Sequence, residues 1–73
     1  MKRFELEEAA KLSGICLEYF TLFYYIKGYI RKEPYGYSAT VLGIKSNCVL
    51  NDKNYHAYFT VKSVITASNA FAA

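Results

Sequence analysis

Seventy-three residues make one domain spanning 1–73, and a chain this short buries only about 60% of the surface its unfolded form exposes, so its stability margin is thin. A composition of 53% apolar and 21% charged residues argues against disorder, although much of the apolar content is Tyr and Phe rather than Leu, Ile and Val. The net charge of +3 is unevenly spread: Lys2, Arg3 and Lys11 against Glu5, Glu7, Glu8 and Glu18 leave residues 1–26 at −1. Lys27, Arg31, Lys32, Lys45, Lys53 and Lys62 against Glu33 and Asp52 leave residues 27–73 at +4.

From Glu5 to Ser13, Leu6, Ala9, Ala10 and Leu12 fall at helical spacing behind Glu7 and Glu8, whose charge suits a helix N-terminus, and Gly14 stops the helix. Phe4 is expected in a brief extended lead-in, packing on the far side of that helix. The window Ile15 to Lys27 predicts a second helix, with Gly28 as its left-handed cap. That helix is apolar on every face, because Leu17, Phe20, Tyr24 and Tyr25 fill the sides left by Ile15, Tyr19, Leu22, Phe23 and Ile26. A domain of this size cannot bury every side of one helix, so some of its rings face a partner, a second copy or water.

Tyr29 to Lys32 reads as a short strand and Glu33-Pro34-Tyr35-Gly36 as a turn, Pro34 fixing one dihedral and Gly36 free to take positive φ. Ser38 to Gly43 is compatible with a helical turn or a strand. Asn47 to Leu50, the polar loop Asn51-Asp52-Lys53-Asn54, and Tyr55 to Val61 read as a β-hairpin. Thr60 or Ser63 is placed to cap a short final helix through Ala67, with fraying expected from Ser68 onward and no internal repeat visible.

Leu6-Glu7-Glu8-Ala9-Ala10-Lys11-Leu12-Ser13-Gly14-Ile15 resembles the first helix and turn of a helix-turn-helix. Tyr24-Tyr25-Ile26-Lys27-Gly28-Tyr29-Ile30 resembles the end of the recognition helix and the strand entry of winged-helix proteins of the excisionase and MerR-like kind. Tyr55 to Thr60 running into Val61-Lys62-Ser63-Val64-Ile65 resembles the return strand of a wing and its following helix. The resemblance implies an α+β winged helix-turn-helix of phage or mobile-element type, with two N-terminal helices, a wing between Tyr37 and Tyr55, and DNA bound through the second helix and the wing.

Two functions follow as expectations. The first is a small DNA-binding regulator or accessory factor. It would grip the phosphates of double-stranded DNA through Lys27, Arg31 and Lys32 at the helix end and first strand, and through Lys45, Lys53 and His56 on the wing. The second is a protein-interaction module, small inhibitor or homodimer contact that uses Phe20, Phe23, Tyr24 and Tyr25 of the second helix. No basic residue precedes Lys27 on that helix, which favours protein over base edges as its target.

An enzyme is not expected, because His56 stands alone, without a nucleophile pattern, metal-ligand spacing or glycine-rich phosphate loop. Cys16 and Cys48 are isolated thiols, so neither a zinc centre nor a disulfide framework is expected, and no cofactor. Glu5, Glu7 and Glu8 interrupt any secretory leader after Met1-Lys2-Arg3, and no apolar run is long enough to cross a bilayer, so a reducing cytoplasm without membrane contact is the expected setting.

Overall fold

The computed structural model describes residues 2–72 and is α+β. Its elements run β1 (Arg3–Phe4), α1 (Leu6–Ser13), α2 (Leu17–Ile26), β2 (Ile30–Glu33), β3 (Gly36–Ala39), α3 (Val41–Lys45), β4 (Val49–Asn51), β5 (Ala57–Thr60) and α4 (Val61–Ala72). Gly14 ends α1 in the left-handed region at φ 72°, where its N–H donates to Lys11 O and that of Ile15 to Ala10 O. Ile15 and Cys16 stay outside the helical region, Cys16 being the extended residue before α2, so α2 starts two residues later than the periodicity predicts.

Two antiparallel sheets organise the strands. Strand β2 pairs with β3, Ile30 opposite Ala39 and Glu33 opposite Gly36, around the expected Pro34-Tyr35 turn. The other sheet has the order β1-β5-β4, with Phe59 flanked by Phe4 on one side and Val49 on the other. Asn51 joins the two sheets: its Oδ1 accepts from Ala39 N at 2.7 Å and its Nδ2 donates to Ala39 O at 3.4 Å. Asn51 therefore satisfies the outward backbone groups of a strand edge that would otherwise be open.

The wing expected between Tyr37 and Tyr55 is not one hairpin. Ser38 and Ala39 finish β3, and Thr40 then caps α3, its Oγ1 accepting from Gly43 N at 3.1 Å, so the ambiguous stretch is half strand and half helix. At Gly43 an added Cβ would lie 2.3 Å from Tyr29 O, which shows how closely α3 is pressed onto that backbone.

A repeat invisible in the sequence also emerges. After α2, Gly28 turns left-handed at φ 78°, the hairpin β2–β3 follows, and Thr40 closes it: its N–H donates to Tyr29 O at 3.0 Å and its hydroxyl to Gly28 O before capping α3. After α3, Asn47 turns left-handed at φ 58°, β4–β5 follows, and Thr60 closes it: its N–H donates to Cys48 O at 3.2 Å and its hydroxyl to Asn47 O at 2.6 Å, while Ser63 N reaches Thr60 Oγ1 at 3.4 Å. Two copies of one helix, hairpin and threonine-cap unit share α3. Thr40-Val41 matches Thr60-Val61, and Ile30 matches Val49 two residues after each left-handed turn, but little else corresponds in type, because the pattern is carried by backbone hydrogen bonds.

The core lies where α2, the three-stranded sheet and α4 meet. Phe20, Tyr24 and Phe59 are fully buried and form a triangle of rings with centroids 5.0 to 5.6 Å apart, edge-on or tilted as aromatic quadrupoles prefer. Ala9 and Ala10 let α1 approach closely, and the Ser13 hydroxyl donates to Ala9 O at 2.7 Å. Helix α4 continues to Ala72, five residues past its expected end, and Phe71 packs edge-on against Phe23 at 5.4 Å to hold the last turn.

Candidate interaction surface

Helix α2 divides its rings between two fates. Successive residues turn by about 100°, which puts Phe20 and Tyr24 on one side and Leu22 directly opposite them. Phe20 and Tyr24, expected at a protein interface, are core residues with no exposed surface, since Phe59 of β5 closes over both. The Tyr24 hydroxyl donates to Ser63 O at 2.5 Å, and burial holds this phenol well above its ordinary pKa. Phe23 is half-buried against Tyr24 and Phe71. Of the four rings expected to face a partner, Tyr25 alone is largely free.

The outer face is nonetheless apolar. Tyr19, Leu22, Tyr25 and Ile26 are 61%, 51%, 52% and 73% exposed, with Leu17 beside them. Tyr19, Leu22 and Ile26 were readable as helix-spaced apolar residues, but their outward placement depends on where Phe59 sits. Beside this face runs a groove of about 610 Å³, walled by Leu17, Glu18, Thr21, Leu22 and Tyr25 of α2 and by Lys32 and Tyr37 of the first hairpin, with Leu6 also in its lining. Leu6 and Leu17 also border a hollow on α1 lined by Glu5, Glu7, Glu8 and Lys11, so the N-terminal end of α2 lies beside three carboxylates and one ammonium.

The six expected nucleic-acid contacts are not brought together. Arg31 and Lys32 point to opposite faces of β2, as successive strand residues must. The Lys32 ammonium lies 4.7 Å from the Tyr37 ring centroid, on the groove side, while Arg31 Nε lies 3.4 Å from the Glu33 carboxylate on the other. Lys27 leans over the Phe23 and Tyr29 rings at 5.1 and 5.5 Å. Lys45 is exposed at the end of α3, and Lys53 is exposed in the loop between β4 and β5.

In that loop Asp52 accepts from the N–H groups of Asn54 at 2.8 Å and His56 at 2.9 Å, and these bonds hold its carboxyl below the usual range. The His56 ring lies 5.2 Å from Tyr35, so the two hairpin tips meet. Ser38, on the Arg31 face of the first hairpin, is 3% exposed and has the one buried side-chain oxygen without a hydrogen-bond partner among the described residues.

A different basic grouping was missed in the sequence. Lys62, in the first turn of α4, and Lys27 both lie close enough to Cys48 for their charges to offset the burial that pushes its thiol up. From Pro34 to Ala73 the one carboxylate side chain is Asp52, which was legible in the sequence. Both cysteines are free, Cys16 exposed and Cys48 buried. Among the described residues no three His, Cys, Asp or Glu side chains gather as a metal site would need, and no helix is long and apolar enough to cross a membrane. Comparisons with protein-family models, curated proteins and solved structures gave no match.

Proposed function

We propose that this chain is a protein-interaction domain that works through the outer face of α2 and the groove between α2 and the first hairpin. The observation that supports this reading most directly is the apolar stripe of Tyr19, Leu22, Tyr25 and Ile26, each more than half exposed on a helix whose opposite side is the core. A DNA-recognition helix needs donors aimed at base edges and charge suited to phosphate, whereas this face offers Glu18, aliphatic side chains and the phenols of Tyr19 and Tyr25, with no Arg, Lys, Asn or Gln. Tyr and large aliphatic side chains are effective interface anchors, because each brings a large apolar area for few rotatable bonds.

A photo-crosslinking aromatic amino acid placed at Tyr25 and, in a second variant, at Lys53 tests the reading in cells that express the chain. The expected result is an adduct from position 25 that disappears with Leu22→Glu, and none from position 53. Adducts at neither position, or equally at both, would overturn it.

A second reading, nucleic-acid binding, is supported by Lys27 and Lys62, which lie near each other beside Cys48. It demands salt-sensitive, sequence-independent affinity of about 10⁻⁴ to 10⁻⁶ M. Fluorescence anisotropy of a labelled duplex at two salt concentrations measures this, and Lys27→Ala with Lys62→Ala should weaken binding to every sequence alike.

A further inference from the structure

We infer that the hollow between the first hairpin, α3 and the loop of the second hairpin is a binding site for an uncharged planar heterocycle of nucleobase type, held against the Ser38 hydroxyl. The site is separate from the α2 face, because it lies on the Arg31 side of β2 whereas the groove lies on the Lys32 side. It holds about 390 Å³, within the size range of small-molecule sites.

Three observations point to its ligand. The first is the polar floor. Ser38 stands opposite Arg31 in the β2–β3 register, so its side chain is on the hollow's side of the hairpin, and its Oγ is buried without a hydrogen-bond partner among the described residues. A buried hydroxyl left unpaired is a cost to the free fold that an incoming donor or acceptor removes. Moving solvated side chains rather than the core opens a path to it, since the neighbouring Arg31 and Tyr55 side chains are exposed. Asn51, also in the lining, uses one amide N–H and one lone pair on Ala39, which leaves one of each. Ser38 and Asn51 together thus offer a donor and an acceptor, and their complement is an edge that carries both, as the edge of a base does.

The second is charge. The two charged side chains at the hollow, Arg31 and Glu33, pair with each other, Nε to carboxylate at 3.4 Å. With those charges offset, an isolated phosphate or carboxylate gains little here, and a neutral ring loses nothing.

The third is the walls. Val41 and Ile44, one turn apart on α3, give an aliphatic side, and the exposed rings of Tyr35 and Tyr55 give an aromatic one. Tyr55 is a bulky residue at φ 63°, and its N–H donates to Asp52 O at 3.0 Å while the Asp52 carboxylate clasps the N–H groups of Asn54 and His56. The loop's own hydrogen bonds therefore set the backbone that presents this ring. Apolar faces with a few convergent polar groups are how proteins hold aromatic heterocycles.

NMR titration of the isotope-labelled chain with uridine, adenosine and, as a control without a base, ribose phosphate tests the site. The expected result is saturating shifts at Ser38, the Asn51 side-chain amide and Tyr55 from a nucleoside, with a dissociation constant on the order of 1 mM. Salt should not change it, and ribose phosphate should give no such shifts. Uridine methylated on its ring N–H should bind about tenfold more weakly than uridine. A short oligouridylate identifies the source: affinity equal to that of uridine marks a free small molecule, and much tighter binding at the same residues marks a base in a single strand.

Ser38→Ala should lower the affinity about tenfold while leaving the urea midpoint of the free chain unchanged or higher, because the hydroxyl it removes has no partner to lose. Tyr55→Gly relaxes the left-handed backbone and deletes the ring, so it should keep the fold and weaken binding by a similar factor. A clearly lowered midpoint for Ser38→Ala would overturn the inference, by showing that a fixed water already satisfies the hydroxyl. So would the absence of saturating shifts at Ser38 with either nucleoside, or equal shifts from ribose phosphate.

Discussion

The inner and outer sides of α2 are made from nearly the same residue types, and the domain treats them in opposite ways. Phe20 and Tyr24 sit in a fully enclosed triangle with Phe59, whereas Tyr25, one residue further along, is half exposed at the lip of a groove. Hydrophobicity alone does not separate them. What does is the direction from which β5 arrives, which fixes one side of the helix as interior and leaves an equally apolar side facing outward. A helix that is apolar all round in a small domain therefore carries two messages at once: where the core is, and which apolar face the chain itself leaves uncovered.

Substitutions break this comparison in order of expected effect. Phe20→Ala should be the most damaging, costing about 3–5 kcal/mol through the lost ring and the cavity it leaves, enough to unfold a marginal domain; urea denaturation followed by circular dichroism measures it. Tyr24→Phe keeps the packing and removes one buried hydrogen bond to Ser63 O, so it should cost about 1–2 kcal/mol by the same assay. Leu22→Ala and Tyr25→Ala, on the outer side, should each change the stability of the monomer by less than about 0.5 kcal/mol while reducing association. An unfolding effect at Tyr25 equal to that at Phe20 would erase the distinction between the faces.

The two sides also differ under alkali. The Tyr24 phenol is raised in the folded state, so its contribution is intact below the ordinary tyrosine pKa of about 10 and is lost as pH climbs beyond it, since unfolding releases a group that can then ionise. Ultraviolet titration of the phenols should show one proton retained until the domain unfolds, and Tyr24→Phe should remove that signal. The smallest effect concerns the second hairpin. Asp52 is lowered in the folded state, so the order it gives its loop is present above about pH 4 and is lost as pH falls through its depressed value. Amide shifts of Asn54 and His56 followed by NMR should report that transition.

Local signals were the legible part of this fold. Gly14 and Gly28 mark helix ends because only a residue without a Cβ takes positive φ freely, and both stand where α1 and α2 stop. The Pro34-Tyr35 turn and the strands on either side of Lys53 were legible for the same reason, since turn chemistry is written in residues that are close in sequence. The faces of α2 were not legible: with aromatics on every side, the periodicity held no preferred direction, and Phe59, far along the chain, decided it.

Nor was the pairing of Thr40 with Gly28 O or of Thr60 with Asn47 O, because a threonine that caps a helix and one that merely follows a strand look alike until the preceding turn is placed beside it. Of the basic residues, their number was readable and their dispersal was not. Strand alternation alone would have separated Arg31 from Lys32, but only the structure shows that Lys32, Arg31 and Lys27 each have a ring or carboxylate of their own chain at hand.

The doubled helix, hairpin and threonine unit has a consequence for the order in which the chain assembles. Thr40 reaches back to Gly28 and Thr60 to Asn47, spans of 12 and 13 residues, so each unit closes a short loop at small entropic cost and does so from its own residues. The first unit is complete once α3 has been made. Strand β1 must wait, because its partner Phe59-Thr60 lies at the other end of the chain. Loop-closure cost is therefore lowest for the two helix, hairpin and threonine units and highest for Arg3 and Phe4, whose partners in β5 lie more than 50 residues away along the chain.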